Sequence, residues 1–168
     1  FIAKSAKLIN ETKASLIINN IAYHKTEASF DANTVFTNGK NILRTEAILQ
    51  KHIYDFLETD SKVEREFTKN LEAAKEVVVY AKLPKGFFIA TPVANYSPDW
   101  AIVLDNEKVK HIYFVAETKG TEDENELRGI ERLKIHCAKK HFQEISNGEV
   151  KFDVISTYGK LLEVAELK

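Results

Sequence analysis

Three residues near the middle of the chain have the types and the spacing to hydrolyse a phosphodiester bond. Residues 101–104 and 111–116 are two runs rich in apolar, β-branched and aromatic residues, and the short polar turn between them predicts a β-hairpin. Asp99 lies just before the first run, and Glu117 and Lys119 follow the second. Because Glu117 and Lys119 are two residues apart, their side chains leave the same face of the sheet. The hairpin is therefore expected to hold two carboxylates and one ammonium at one edge.

Each of these residue types has a role in metal-assisted hydrolysis. Cleavage of a phosphodiester requires a cation at the scissile phosphate and a water made nucleophilic in line with the bond. Mg²⁺ prefers oxygen ligands and keeps several waters, so Asp99 and Glu117 suffice to hold it, with the Thr118 backbone carbonyl as a further ligand. Lys119 can orient the attacking water and stabilise the charge that develops on the phosphate. A solvated strand edge with a salt bridge is the competing interpretation, but a carboxylate directly after a buried apolar run is costly to leave unpaired.

Four phrases of the chain carry a family resemblance. They are residues 80–87 (YAKLPKGF), 91–102 (TPVANYSPDWAI), 110–120 (KHIYFVAETKG) and 130–142 (IERLKIHCAKKHF). In this order they resemble the C-terminal nuclease domain of the restriction (Res) subunit of type III restriction enzymes, which belongs to the PD-(D/E)xK nuclease superfamily. The resemblance covers roughly residues 50–165. Ala94 departs from it, because a glycine is expected in the turn before the catalytic Asp.

The resemblance implies both a fold and a function. The fold is α/β, with a restriction-endonuclease-like core in which a central mixed β-sheet is flanked by helices in the order α-β-β-β-α-β. The function is that of a Mg²⁺-dependent DNA endonuclease domain, with type II-like chemistry, in an ATP-dependent type III restriction enzyme. Double-stranded DNA is then the substrate, and the modification (methyltransferase) subunit is the partner. The alternative is a catalytically silent nuclease-fold module for DNA binding or subunit assembly.

The composition limits the other function classes. With 24 basic and 25 acidic residues the formal net charge is −1, so no overall basic field predicts nucleic-acid binding. The single Cys137 excludes an internal disulfide and a multi-cysteine metal site, and it fits a reducing bacterial cytoplasm. No run approaches the ~18 apolar residues of a membrane span. The chain has no G-x-x-x-x-G-K-[ST] loop, so ATP is expected only in the helicase part of the parent protein.

The N-terminal part is expected to lie outside the nuclease domain. The chain begins at Phe1 and has no methionine, which indicates a part of a longer protein. We expect residues 1–50 to be a linker or extension from a preceding domain and residues 51–168 to form the nuclease domain. Irregular helical spacing predicts an N-terminal helical extension before residue 24, followed by a loop with a short strand at 34–36.

Two predicted helices precede the first core strand. Apolar spacing predicts an amphipathic helix over 42–57, and Ser61 with Glu64 three residues later is a capping-box pattern for the next helix. Glu64, Phe67 and Leu71 recur at three- and four-residue steps, so Glu64 lies on the face of the core residues. Glu64 either only completes the cap or reaches the nuclease site as a third carboxylate, binding a second metal or its water shell. The resemblance favours the second role, since an acidic residue on this helix recurs in the superfamily.

The later patterns complete the α/β order. β-rich runs at 77–80 and 150–155 predict strands, and 127–142 and 158–167 predict helices. Polar residues, Glu131 among them, are placed on the outer face of the first of these helices. Its apolar seam is predicted at Leu127, Ile130, Leu133, Cys137 and His141.

Three lysines are candidates for contacts with DNA phosphates. Lys82 and Lys85 lie near the proposed site in sequence, and Lys134 follows the apolar seam by one position. Solvated charges are the competing interpretation for all three. Tyr96 and Trp100 are candidates for stacking on DNA, although such residues are more often core aromatics.

Overall fold

The computed structural model contains both helices and strands. It describes residues 1–24, 26–27, 49–54, 57, 59, 61–84, 86–92, 94–105, 112–118, 129–146 and 150–167. In chain order the elements of this part are α1 (Ile2–Asn19), α2 (Lys62–Ala73), β1 (Val77–Lys82), β2 (Trp100–Leu104), β3 (Ile112–Thr118), α3 (Gly129–Ser146), β4 (Val150–Ile155) and α4 (Tyr158–Ala165). The predicted α/β class is confirmed.

The four strands form one mixed sheet in the order β1-β2-β3-β4. β1 pairs antiparallel with β2, and β2 pairs antiparallel with β3, as expected of the predicted hairpin. β4 joins β3 in parallel after the crossover helix α3. Trp100, the first residue of β2, pairs with Lys82 of β1 on one side and with Ala116 of β3 on the other. The end of β3 and the start of β2 therefore meet at the same edge of the sheet.

The two faces of the sheet carry separate apolar clusters. Because side chains alternate along a strand, Trp100 and Ile102 face α2 and α4, whereas Val115 faces α3. Glu117 is two residues beyond Val115 and leaves the same face. The α2-side cluster includes Phe67, Leu71, Tyr80, Trp100, Ile102, Leu104 and Leu161. The α3-side cluster comprises Ile89, Tyr96, Val115, Ile135, Ala138 and Phe142.

Helix α2 begins where the capping pattern predicts. The Ser61 side chain accepts a hydrogen bond from the Glu64 backbone N–H at 3.1 Å, which satisfies one of the four unpaired N–H groups of the first turn. Glu64, Phe67 and Leu71 are buried on the face toward the sheet, whereas Glu66 is exposed. The predicted orientation of Glu64 is confirmed.

The helix predicted over 42–57 is wrong in its described part, because residues 49–54 are not helical. Long-range hydrogen bonds override the local apolar spacing. The Tyr80 N–H donates to the Lys51 carbonyl at 3.0 Å, and the Lys51 N–H donates to the Glu72 carboxylate. His52 pairs with Tyr80 in an isolated parallel bridge. The strand predicted at 34–36 lies outside the described residues.

The apolar seam predicted for α3 is confirmed at Cys137 and wrong at Ile130. Ile130 is exposed, and the side chains that the helix buries are those of Ile135, Cys137, Ala138 and Phe142. Leu127 lies outside the described residues. The helix thus turns a face toward the sheet that is offset from the predicted one.

Helix α1 packs on α3 through its C-terminal end. Ile18 is buried, and its carbonyl accepts a hydrogen bond from the Lys140 ammonium at 3.2 Å. Beyond the helix, the ring of Tyr23 meets the ring of His141 edge to face, with centroids 5.0 Å apart. Within the described residues, no helix combines the length and the apolar character that a membrane crossing requires.

Candidate active site

Asp99 is held at the start of β2 by both its backbone and its side chain. Its carbonyl accepts a hydrogen bond from the Leu83 N–H at 2.7 Å, which joins it to the end of β1. Its Oδ2 atom accepts two hydrogen bonds from Thr118, one from the backbone N–H and one from Oγ1, both at 2.7 Å. The Thr118 hydroxyl in turn accepts from Nε1 of the buried Trp100 at 3.2 Å. This relay fixes the orientation of the Asp99 carboxylate.

Glu117 lies next to Thr118 and is buried, with 5% of its surface exposed. Its Oε2 atom accepts a hydrogen bond from the Tyr96 hydroxyl at 2.9 Å. Burial raises the pKa of Tyr96, and the negative charges of Glu117, Asp99 and Glu131 raise it further, so the phenol remains a donor at neutral pH. Two adjacent residues of β3 thus place the two predicted carboxylates. Glu117 is one of them, and Thr118 binds the other, that of Asp99.

The Glu64 carboxylate contacts the Lys82 ammonium. The Lys82 ammonium lies 2.5 Å from Glu64 Oε2, and it also lies over the Trp100 ring, 5.9 Å from the centroid. The Glu64 carboxylate therefore forms an ion pair with β1, a contact that neither predicted role of Glu64 included. This pair is on the α2 side of the sheet, whereas Glu117 is on the α3 side.

Of the other predicted site residues, two are buried, one is partly exposed and two lie outside the described residues. Tyr96 and Trp100 are buried members of the two core clusters. Lys134 is partly exposed on α3. Lys119 and Lys85 lie outside the described residues.

Sequence reasoning missed a further acidic residue near the site. Glu131 is one of the three carboxylates whose charge raises the pKa of Tyr96, although it was assigned to the outer face of its helix. Glu131, Ile135, Ala138 and Phe142 are separated by four, three and four residues, which is the spacing of one helix face. That spacing is the signal that would have placed Glu131 toward the sheet.

The donor set at this edge suits a hard divalent cation. Among the described residues, no three His, Cys, Asp or Glu side chains form a group that could hold a metal ion. Mg²⁺ nevertheless needs only one or two protein carboxylates, because it retains several waters. Asp99 and Glu117 supply such oxygens, and both carboxylates are fixed by hydrogen bonds, from Thr118 and Tyr96 respectively. The residues present therefore fit Mg²⁺.

Fold and site together define an α/β domain with an acidic candidate active site at the edge of a mixed sheet. The family model described as "Endonuclease domain" matches residues 50–158. The chain therefore belongs to this endonuclease-domain family.

Curated relatives agree with the family match. The chain is 34% identical over 105 residues to the Type III restriction-modification enzyme EcoPI Res subunit of Escherichia phage P1, covering 61% of this chain and 11% of that protein. It is 35% identical over 103 residues to the EcoP15I Res subunit of Escherichia coli, covering 60% of this chain and 10% of that protein. The resemblance to the Res endonuclease domain is thus confirmed. The chain spans about a tenth of the length of these relatives, and no solved structure matches it.

Proposed function

We propose that this chain is a Mg²⁺-dependent DNA endonuclease domain with a restriction-endonuclease-like, PD-(D/E)xK core, acting within a type III restriction enzyme. The observation that carries the proposal is the joint placement of Asp99 and Glu117 by β3. Thr118 holds the Asp99 carboxylate through two hydrogen bonds, and the residue before Thr118 is Glu117. The similarity to the EcoPI and EcoP15I Res subunits supports the biological setting. In this proposal residues 51–168 are the nuclease domain and residues 1–50 an extension from a preceding domain.

The proposed chemistry assigns a role to each residue of the edge. Asp99, Glu117 and the Thr118 carbonyl bind Mg²⁺, which would supply charge neutralisation at the phosphate and a more acidic bound water. Lys119 orients the attacking water and stabilises the developing negative charge. The buried relay from Trp100 keeps the Asp99 carboxylate in one orientation while the substrate binds.

The ion pair on the α2 side has a second proposed role. Glu64 acts as the third carboxylate, through the water shell of the metal, and Lys82 balances its charge. Lys85 and Lys134 are proposed to contact DNA phosphates, where each ammonium adds sequence-independent affinity, whereas the ammonium of Lys82, the third lysine predicted for this role, is paired with Glu64. Double-stranded DNA is the proposed substrate and the modification (methyltransferase) subunit the proposed partner, with ATP used only by the helicase part of the parent protein.

Plasmid nicking by the full-length subunit complex, with Mg²⁺ and ATP, tests the proposal. We expect Asp99→Ala and Lys119→Ala each to lower the nicking rate by at least about 100-fold, because each removes a group that stabilises the transition state. ATP hydrolysis should persist in both variants. Asp105→Ala is the matched control, since Asp105 follows the opposite end of β2 and is exposed.

Unchanged nicking in Asp99→Ala and Lys119→Ala would contradict the assignment of the chemistry to this edge. If the wild-type complex binds DNA but does not nick it with any divalent cation, the domain is a silent binding or assembly module. Loss of ATP hydrolysis in the variants would point to a folding defect, which circular dichroism of each variant detects.

A further inference from the structure

Tyr96 connects the loop before β2 to the carboxylate of Glu117, although nothing in its residue type identifies it as part of a nuclease site. We propose that Tyr96 is a positioning residue: its hydroxyl fixes the Glu117 carboxylate in the orientation that binds the metal. The inference rests on the proposed function and adds to it a residue that touches neither the metal nor DNA. It makes Tyr96 a determinant of metal affinity.

The position of the Tyr96 hydroxyl is set by contacts along the whole residue. The backbone forms an antiparallel bridge with Ile89, through hydrogen bonds of 2.7 and 2.9 Å. The ring packs edge to face on Phe152, with centroids 6.1 Å apart and planes at 87°. Both Tyr96 and Glu117 are buried, and the hydroxyl lies 2.9 Å from Glu117 Oε2. A donor anchored in this way leaves the carboxylate little freedom to rotate.

A phenol is suited to this task because it orients a carboxylate without neutralising it. An ionised carboxylate has about four lone-pair sites, so it can accept one hydrogen bond and still bind a cation. An ammonium donor such as Lys82, 2.5 Å from Glu64 Oε2, adds a positive charge beside the carboxylate that it contacts, whereas a phenol adds none. Outer-shell partners of this kind orient metal ligands, and their removal typically weakens metal binding by about 10- to 100-fold.

The chain contains a matched control for this hydrogen bond. Tyr80 is buried in the α2-side cluster, and its hydroxyl donates to Glu72 Oε1 at 2.8 Å. Tyr80→Phe therefore removes the same kind of hydrogen bond from a buried tyrosine, on the opposite face of the sheet from Glu117. The two variants separate an effect on metal binding from a general loss of a buried hydrogen bond.

Isothermal titration of Mg²⁺ and Mn²⁺ into the chain tests the inference. We compare wild type with Tyr96→Phe, Tyr80→Phe and Asp99→Asn, after a thermal melt of each metal-free protein has shown that it is folded. We expect Tyr96→Phe to weaken metal affinity by at least about 10-fold. Tyr80→Phe should retain wild-type affinity even where its melting temperature falls.

The possible results lead to different conclusions. Wild-type metal affinity in Tyr96→Phe, with binding lost in Asp99→Asn, would overturn the positioning role and leave the proposed function intact. Equal weakening in Tyr96→Phe and Tyr80→Phe would also overturn it, because the effect would not be specific to the site. If wild type binds no metal, or Asp99→Asn binds as wild type does, the proposed function and this inference fail together.

A measurement on the unaltered protein covers the case in which Tyr96→Phe does not fold. In protein with isotope-labelled tyrosine, the NMR signal of the carbon that bears the hydroxyl reports the hydrogen bond of each phenol. We expect the Tyr96 signal to shift on addition of Mg²⁺, because Glu117 then shares its charge with the metal. The Tyr80 signal should stay unchanged, and a Tyr96 signal that does not respond to saturating Mg²⁺ would overturn the inference.

Discussion

Two buried tyrosines each donate a hydrogen bond to a glutamate, and the two pairs lie on opposite sides of the sheet. Tyr80 donates to Glu72 at 2.8 Å on the α2 side, and Tyr96 donates to Glu117 at 2.9 Å on the α3 side. The difference lies in what surrounds the two carboxylates. Glu72 also accepts hydrogen bonds from the backbone N–H groups of Gln50 and Lys51.

The hydrogen bonds that Glu72 accepts give it a structural role. Burial raises its pKa, but the hydrogen bonds from Gln50, Tyr80 and the Lys51 backbone outweigh burial, and the pKa is lowered overall. The ionised carboxylate is therefore stabilised where it is, and it ties residues 50–51 to α2 and β1. These hydrogen bonds stabilise the negative charge of Glu72.

The Tyr96–Glu117 pair lies near further carboxylates. The charges that raise the pKa of Tyr96 come from Glu117, Asp99 and Glu131. A bound divalent cation would share the charge of its proposed ligands, Asp99 and Glu117. The same tyrosine–glutamate hydrogen bond thus serves a structural junction in one case and a proposed metal site in the other.

Neutralising each glutamate should give the largest contrast between the two pairs. We expect Glu117→Gln to weaken Mg²⁺ binding by more than about 100-fold, because it removes a ligand and not only an outer-shell partner. The free energy of unfolding of the metal-free protein should not fall, since Gln can still accept the Tyr96 hydrogen bond. Glu72→Gln should instead lower the free energy of unfolding by about 1–3 kcal/mol, because an amide accepts hydrogen bonds from Tyr80 and the backbone of Gln50 and Lys51 more weakly.

Calorimetric metal titration and urea unfolding of both variants check this contrast. Each variant is the other's control, because both exchange one carboxylate for an amide beside a tyrosine hydroxyl. A loss of metal affinity in Glu72→Gln, or a stability loss in Glu117→Gln as large as that in Glu72→Gln, would remove the distinction between the two pairs.

Removing the Thr118 hydroxyl should have a smaller effect on the proposed site. Thr118→Val takes one of the two donors from Asp99 Oδ2 but leaves the backbone N–H donor at 2.7 Å. We therefore expect metal affinity to weaken by about 10-fold at most, the low end for an outer-shell change. Equilibrium titration with Mn²⁺ measures this difference.

Thr68→Val is the control for the threonine substitution. The Thr68 hydroxyl is buried and donates to the Glu64 carbonyl within α2 at 2.9 Å, so its removal affects stability at a distance from Asp99. Metal affinity in Thr68→Val should match wild type. A Thr118→Val protein that also matches wild type would show that the backbone N–H alone orients Asp99.

The parts of the fold that sequence reasoning predicted correctly depend on short-range patterns. The hairpin follows from two β-rich runs around a polar turn, and the start of α2 follows from the spacing of Ser61 and Glu64. The same local patterns brought Asp99 and Glu117 to one edge. Their hydrogen-bond partners were not predicted, because Tyr96 reaches Glu117 across 21 residues and Thr118 reaches Asp99 across 19.

The errors arose where distant contacts outweigh local spacing. Residues 49–54 have apolar residues at helical intervals, but hydrogen bonds to Glu72 and Tyr80 hold them in a non-helical conformation. The face of α3 was misplaced because several of its faces carry apolar residues, and the packing against the sheet selects Ile135 and Phe142. Glu131 was missed for the same reason.

The smallest predicted effect is a pH dependence at the structural junction, which should spare the proposed metal site. His52 lies against the Tyr80 ring, with centroids 5.1 Å apart. Its Nε2 atom accepts the Lys82 backbone N–H at 3.2 Å, and its Nδ1 atom lies 2.9 Å from the Tyr54 carbonyl oxygen and 3.2 Å from the Tyr54 backbone nitrogen. Burial lowers the pKa of His52, although the Tyr54 hydrogen bond and the Glu72 charge oppose it.

The sign of the effect follows from the lowered pKa. The unfolded chain binds a proton more readily than the folded protein, so the free energy of unfolding is highest above the ordinary histidine pKa and falls as the pH drops toward the folded pKa. Urea unfolding between about pH 7.5 and 5 should show this decline in wild type. Part of it should disappear in His52→Gln, because Gln accepts the Lys82 N–H without titrating.

His141, whose pKa burial also lowers, contributes to the same window and accounts for the part that remains. His136→Gln is the matched substitution at an exposed histidine of α3. A slope unchanged in His52→Gln would show that protonation does not break the contact with Lys82. The pH dependence would then come from other groups, His141 among them.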